Sequence, residues 1–240
     1  AELASKNPSL ESSSAQIVVN SLFGTVSSGR GSVSRSAATA EIYNVRHLEN
    51  LDSGVSGLPT VLSEGKEENT KTVKRVITGV EQTGDIDWKT FREICGTDSV
   101  FAAGNAENRR GTLLSSGYYG IKNDALLSYN GNGYAVKNLT AVSSQGDAGM
   151  FRTPDGTQTL AIGDLTLENI TAKGNNAGAL IGSVSAAKVT LTNVAAKSLQ
   201  LTANGKGHAG GLVGVVSGKG RVDLEDIDVG GIYAEVFVDG

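Results

Sequence analysis

The segment Leu165-Thr-Leu-Glu-Asn-Ile-Thr171 alternates apolar and polar residues, then places an asparagine before one more apolar residue. Alternation of this kind puts Leu165, Leu167 and Ile170 on one face of a strand and Thr166 and Glu168 on the other. The pattern returns three more times, as Ala135-Val-Lys-Asn-Leu-Thr140, Val189-Thr-Leu-Thr-Asn-Val194 and Val222-Asp-Leu-Glu-Asp-Ile227. A strand that recurs at such intervals is typical of a repetitive, coiled fold.

A second short motif interleaves with the first. An Ala-Gly step followed by apolar residues occurs at 148–151, 177–182 and 209–214. Because two different short strands recur in a fixed order, the sequence predicts an all-β fold, a right-handed parallel β-helix whose stacked coils share one apolar interior. An antiparallel sandwich with glycine-rich hairpins is the alternative.

The asparagine and aspartate residues of the first motif have a predicted structural role. These side chains tolerate left-handed backbone conformations and form local hydrogen bonds. We therefore expect them to stack as one ladder near a corner of the coil. Its members are Asn138, Asn169, Asn193 and Asp226.

The chain divides into three predicted regions. Residues 1–40 form an opening strand or coil and a connector, residues 41–127 contain capping helices and loops, and residues 128–240 form the β-helix. In the middle region, apolar spacing predicts a short helix over Val45–Leu51 and a second from Asp87 to Cys95, with Asp87 as N-cap. Residues 63–74 are polar and charged, which predicts an exposed loop.

The opening region contains an echo of the C-terminal half. Residues 22–31, Leu-Phe-Gly-Thr-Val-Ser-Ser-Gly-Arg-Gly, resemble residues 212–220, Leu-Val-Gly-Val-Val-Ser-Gly-Lys-Gly. The similarity suggests that the opening strand is a further coil, packed on this stack or belonging to a neighbouring unit.

Composition argues against several functional classes. The 240 residues include 32 glycines. Their net charge is −4, so no basic field is present to hold nucleic acid. No apolar run is long enough for membrane insertion. A lone Cys95 cannot supply a disulfide framework or a cysteine-based zinc site. The chain does not begin with Met, which suggests a segment of a longer protein.

The sequence suggests no catalytic residue. Its two histidines are far apart: we expect His47 on a helix surface and His208 in a glycine-rich corner. No cofactor is predicted other than calcium, which prefers several oxygen ligands. The calcium candidates are Asp85, Asp87, Asp223, Asp226 and Asp228.

Aromatic residues ahead of the main coils suggest a ligand surface. Exposed aromatic rings are suited to stacking against sugars, so these residues could form a glycan platform. The candidates are Trp88, Tyr118, Tyr119, Tyr129 and Tyr134.

Three stretches carry a resemblance to a known family. These are Gln82-Thr-Gly-Asp-Ile-Asp-Trp88, Ser128-Tyr-Asn-Gly-Asn-Gly-Tyr-Ala-Val-Lys-Asn-Leu-Thr140 and the coil Gly210-Gly-Leu-Val-Gly214. Over roughly residues 41–229 the chain resembles bacterial surface adhesins with GLUG-type repeats, similar to noncatalytic regions of streptococcal immunoglobulin-A metalloproteases. The family offers no catalytic residues to transfer.

The resemblance implies an extracellular, cell-surface or cell-wall location. The functional expectation is a noncatalytic β-helical module acting in adhesion or as a rigid stalk. Its partners would be a host glycan or protein and other domains of the same chain. The alternatives are a β-helical polysaccharide lyase or hydrolase, and a substrate-positioning domain of a surface protease.

Overall fold

A computed structural model describes residues 26–28, 37–49, 51, 60–64, 71–90, 120–122, 125–154 and 159–237. Strands dominate these ranges. In the first half they are β1 (Val26–Ser28), β2 (Ala37–Ile42), β3 (Thr60–Glu64), β4 (Lys71–Gln82) and β5 (Ile86–Asp87), and the helix α1 (Val45–Glu49) follows β2. In the second half they are β6 (Ser128–Asn130), β7 (Ala135–Lys137), β8 (Thr140–Val142), β9 (Thr159–Gly174), β10 (Ala177–Gly178), β11 (Ile181–Val184), β12 (Lys188–Asn204), β13 (Ala209–Gly210), β14 (Val213–Val216) and β15 (Arg221–Phe237).

The long strands β9, β12 and β15 stack in parallel and in register. Leu165 lies beside Val194, which lies beside Ile227. The Ala-Gly motifs stack as well, since β10 pairs with β13, and β11 with β14, both in parallel. The predicted parallel β-helix is therefore confirmed, and the antiparallel sandwich is wrong.

One sheet runs through most of the molecule. Its strand order is β1-β2-β4-β6-β9-β12-β15, so the stack continues through the predicted boundaries at residues 40 and 127. The pairings β2–β4 and β4–β6 are parallel like those of the main coils. The antiparallel pairs in the described ranges are β1–β2 and β3–β4.

The interior is filled by the inward residues of each coil. Leu165, Leu167 and Ile170 are buried, and so are Val189, Leu191 and their neighbours on β12. Burying one such side chain contributes roughly 1.5–3 kcal/mol. A single coil cannot enclose this face, so the folding energy comes from stacking.

The predicted helix over Val45–Leu51 is observed as α1, with Asn44 as its N-cap. The Asn44 side-chain oxygen accepts a bond from the His47 N–H at 2.9 Å, which satisfies an otherwise unpaired donor. Val45, Leu48 and Leu51 are buried. No helix in the described ranges is long and apolar enough to cross a membrane.

The middle region contains a strand pair and a short helical segment. The loop predicted over 63–74 is wrong at both ends, because Ser63 and Glu64 pair with Thr72 and Lys71 in a hairpin. The second helix is described only at residues 88–90, which are helical. Cys95 lies outside the described residues.

Candidate functional site

A groove lies where α1 meets the first parallel strands. Strand β5 positions its acidic wall: Ile86 is fully buried beneath the sheet, so alternation turns Asp85 and Asp87 outward. The opposite wall comes from the turn into α1. The groove has a volume of about 390 Å³ and is lined by Tyr43, Asn44, Val45, Asp85, Asp87, Thr90 and Lys137.

Asp85 is held by a lysine from the next coil. Its Oδ2 lies 2.6 Å from Lys137 Nζ, and its Oδ1 accepts the Ala135 N–H at 2.9 Å. The bond from Lys137 and then that from Ala135 lower the pKa of Asp85, while the same ion pair raises the pKa of Lys137. Both side chains are therefore charged at neutral pH.

Asp87 has the capping role predicted for it and also contacts the coil. Its Oδ1 accepts bonds from the Lys89 N–H at 2.8 Å and from Asn138 Nδ2 at 2.7 Å, and its Oδ2 accepts one from Thr90 Oγ1 at 3.1 Å. Partial burial acts to raise the pKa of Asp87, but the bonds from Asn138, Lys89 and Thr90 outweigh it, and the pKa is lowered.

The groove therefore presents two ionised carboxylates beside a phenol, a hydroxyl and an ammonium group. Such a set can accept hydrogen bonds from hydroxyl or ammonium groups of a ligand. It is poorly suited to acid catalysis, since a glycosidase acid must keep its proton near neutral pH and needs a raised pKa. The half-buried Tyr43 ring adds an aromatic surface; it makes an edge contact with His47 at a centroid distance of 4.5 Å.

The predicted aromatic platform is not assembled. Trp88 is buried, and so is Tyr129, whose hydroxyl donates to Gln82 Oε1 at 2.8 Å. Burial also raises the pKa of Tyr129. Tyr134 is exposed, whereas Tyr118 and Tyr119 lie outside the described residues. The prediction of a ligand surface at Trp88 and Tyr129 is wrong, because both rings are buried in the core.

The calcium candidates fall into two separate places. Asp85 and Asp87 share the groove, whereas Asp223, Asp226 and Asp228 lie along β15. Asp223 is ion-paired with Arg221 at 2.6 Å and with Lys188 at 3.2 Å. Within the described ranges, no three His, Cys, Asp or Glu residues converge in a group that could hold a metal ion.

The predicted single ladder is instead two ladders on different corners. Asn138 is level with Asn169, and Asn169 Nδ2 donates to Asn138 Oδ1 at 2.6 Å. Asn193 is level with Asp164, and its Nδ2 donates to Asp164 Oδ1 at 2.7 Å. Asp226 is level with Asn193 in the next coil. The single register is wrong because β9, β12 and β15 each have two left-handed corners, and Asn or Asp can occur at either one.

The corner positions share one backbone conformation. The first ladder continues through Ser198 to Gly231, and all of its members have φ between 54° and 62°. The second ladder, Asp164, Asn193 and Asp226, has φ between 50° and 52°. Sequence analysis missed Asp164 and Ser198, which a search for two polar corners per repeat could have found.

A column of alternating charge runs outward from the groove. Lys137, Glu168 and Lys197 occupy equivalent positions in successive coils, and Glu168 lies 2.8 Å from Lys197 Nζ. Asp87 occupies the equivalent position in β5, and Lys137 pairs with Asp85 two residues before it. Exposed pairs of this kind add little stability each, but they make the face beside the groove nearly neutral. Lys137 was missed by sequence analysis because its partner lies 52 positions away, in another coil.

The two histidines differ in environment. His208 is exposed, as expected for a corner. His47 is buried, so the prediction that it lies on the helix surface is wrong. Its Nε2 lies 3.3 Å from Asn44 Nδ2, and desolvation together with neighbouring Arg46 lowers the pKa of His47 to about 4.

No family model, curated protein or solved structure matches the chain.

Proposed function

We propose that the chain is a noncatalytic, extracellular β-helical module of a bacterial surface protein. The coil stack acts as a rigid stalk, and the groove beside α1 binds an adhesion ligand. The observation that carries the proposal is the groove itself, in which ionised Asp85 and Asp87 stand on a stack of in-register parallel coils. The resemblance of residues 210–214 and related coils to GLUG-type repeats supports the surface location.

The chemistry of the groove favours a neutral or amino sugar. Hydroxyl groups of a sugar can donate to Asp85 and Asp87, and the Tyr43 ring offers a surface for its apolar face. An ammonium group would gain further from the two carboxylates. Uronic and sialic acids would be repelled by the same charges, since Lys137 is already engaged by Asp85.

Ligand titrations test the proposal. We expect the purified chain to bind neutral or amino-sugar oligosaccharides and not acidic ones of the same length, measured by calorimetry. Asp87→Asn removes the charge but keeps a residue that caps helices equally well. It should weaken amino-sugar binding about tenfold, roughly 1.4 kcal/mol.

The matched control is Asp223→Asn, which removes an ion-paired aspartate at the far end of the stack. Its affinity should equal that of the unmodified chain. Absence of sugar binding, or binding unchanged by Asp87→Asn, would exclude the groove as the adhesion site. Surface location is tested separately: an antibody against the chain should stain intact cells of the organism that encodes it.

A polysaccharide lyase or hydrolase is the second candidate, because two carboxylates share one groove. Their lowered pKa values argue against it, since neither can serve as the proton donor at neutral pH. Incubation with uronate and neutral polysaccharides should release no new chain ends. Chain cleavage that Asp87→Asn abolishes would replace adhesion by catalysis. The alternative of a substrate-positioning domain predicts instead that the chain binds a protein which a protease on the same polypeptide cleaves.

A further inference from the structure

The end of the stack formed by β14 and β15 is open. Leu191 is fully buried, yet Leu224, its equivalent one coil later, is 61% exposed. Leu199 and Ile232 show the same change, from 1% to 48%. In the strand order of the described residues, β15 is the last strand of its sheet, and β14 pairs only with β11. An edge of this kind is a template for another strand.

One segment of this chain fits the template. Residues 22–27, Leu-Phe-Gly-Thr-Val-Ser, repeat the pattern of residues 180–185, Leu-Ile-Gly-Ser-Val-Ser, and of residues 212–217, Leu-Val-Gly-Val-Val-Ser. The latter two segments contain β11 and β14, which are adjacent in the stack. A third strand of the same pattern would place Phe23 over Val213, and Val26 over the exposed Val216.

The central glycine makes the match specific. A Cβ on Gly214 would lie 2.4 Å from the Gly182 carbonyl oxygen and 2.9 Å from the Ala177 backbone. A Cβ on Gly182 would lie 2.8 Å from the Ala148 nitrogen. Strands β11 and β14 therefore each need glycine at this position to approach the coil before them. Gly24 meets this requirement for a strand that adds to β14.

The opening strand lies at the opposite end of its own molecule. Strand β1 (Val26–Ser28) pairs with β2. Six strand spacings separate β1 from β15, which is a distance of about 29 Å. In β1 the segment runs antiparallel to β2, in the sheet that ends with β15, so it must leave β2 to add in parallel to β14 of a second copy stacked head to tail. Docking exchanges a three-residue pairing with β2 for a longer pairing with β14.

We propose that residues 22–27 of one copy add as a parallel strand to β14 of a second copy, so that the molecules join head to tail. Such a heterologous contact does not close on itself and extends into a fibre. The inference does not depend on the groove or its ligand.

Association of the full chain tests this interface. We expect the mean mass in sedimentation equilibrium to rise with protein concentration. A labelled peptide of residues 20–31 should bind the full chain, and the same peptide with Gly24→Val should bind at least tenfold more weakly. Leu224→Glu in the full chain should weaken both self-association and peptide binding, while leaving the circular dichroism spectrum unchanged because Leu224 is already exposed.

The remaining outcomes overturn the proposal. A chain that stays monomeric at all concentrations and does not bind the peptide has no such interface. Association that Leu224→Glu abolishes but Gly24→Val in the full chain leaves unchanged would indicate that two open ends face each other. A full chain with Glu168→Gln, which changes a partly exposed residue on β9 in the middle of the stack, serves as the control and should associate as the unmodified chain does.

Discussion

At the scale of single residues, the corners of the coil depend on backbone conformation. Asn169 has φ of +54° and donates to Asn138. Alanine in this conformation costs roughly 1–2 kcal/mol, so we expect Asn169→Ala to lower the free energy of unfolding by that amount. Asn169→Gly keeps the conformation accessible and should lose less, under about 1 kcal/mol. Urea unfolding of both variants measures the difference.

The first ladder contains its own comparison, because Gly231 occupies the equivalent corner in β15 with φ of +62°. Glycine is therefore already accepted at one level of the ladder. Equal losses for Asn169→Ala and Asn169→Gly would mean that the side-chain hydrogen bond, and not the backbone angle, determines the cost.

Close backbone approach gives a second residue-scale prediction. A Cβ on Gly178 would lie 2.2 Å from the Ile181 carbonyl oxygen and 2.6 Å from the Gly214 nitrogen. Neither backbone atom can move without disturbing the stack, so Gly178→Ala should destabilise by at least about 2 kcal/mol. Gly230→Ala is the matched control, since its Cβ meets no atom within 4 Å. It should change stability by no more than about 0.5 kcal/mol. Thermal unfolding of both variants measures the difference in stability. Similar melting temperatures for the two variants would contradict the expectation.

Part of the corner structure could be predicted from the sequence. The preference of Asn138 and Asn169 for a left-handed corner follows from their chemistry and was predictable. The assignment of Asn193 to the same corner failed because repeats of unequal length leave the register undetermined. Only the pairing of Asn193 with Asp164 in space resolves which corner it occupies.

At the scale of elements, α1 makes stability depend on pH. Burial lowers the pKa of His47 to about 4, against about 6.5 in an unfolded chain. Above pH 6.5 both states are neutral and stability is complete. As pH falls from 6.5 to 4, the unfolded state gains a proton that the folded state does not, and stability is lost. The loss is about 3 kcal/mol if the whole shift is expressed.

The comparison of two variants isolates this contribution from the titration of carboxylates. His47→Gln should show a smaller fall in melting temperature between pH 7 and pH 4.5 than the unmodified chain. His208→Gln, which changes the exposed histidine, should retain the full fall. Identical pH profiles for all three proteins would show that His47 titrates normally in the folded state.

The sequence predicted α1 but not its enclosure. The spacing of Val45, Leu48 and Leu51 identifies the apolar face, and all three are buried. His47 lies off that face and was therefore expected in water. Neighbouring elements enclose α1 on more than one side, and such packing from distant parts of the chain leaves no signal in the local pattern. The groove escaped prediction for the same reason: Asp85 and Lys137 come together through pairing of β5 with β7, and Tyr43 follows β2, which pairs with β4.

At the scale of the whole molecule, strand alternation and two recurring motifs were sufficient to predict the coil. Coils differ little in sequence, so local patterns cannot state how many stack or what covers the last one. The exposure of side chains supplies that information. Apolar residues of β9 and β12 are enclosed on both sides, whereas β15 has a neighbour on one side only among the described strands.

Leu191 and Leu224 occupy the same position in adjacent coils. Truncation of each one therefore tests the difference between an enclosed coil and the last coil. Leu191→Ala should cost about 2–5 kcal/mol, as deletion of an enclosed leucine usually does. Leu224→Ala should cost less than about 1 kcal/mol in dilute solution, since most of its side chain is already in water. If molecules join head to tail, the cost of Leu224→Ala should grow with protein concentration while that of Leu191→Ala stays constant. Unfolding midpoints measured across a hundredfold range of concentration separate the two cases, and equal costs at low concentration would show that the end near β15 is already covered in the monomer.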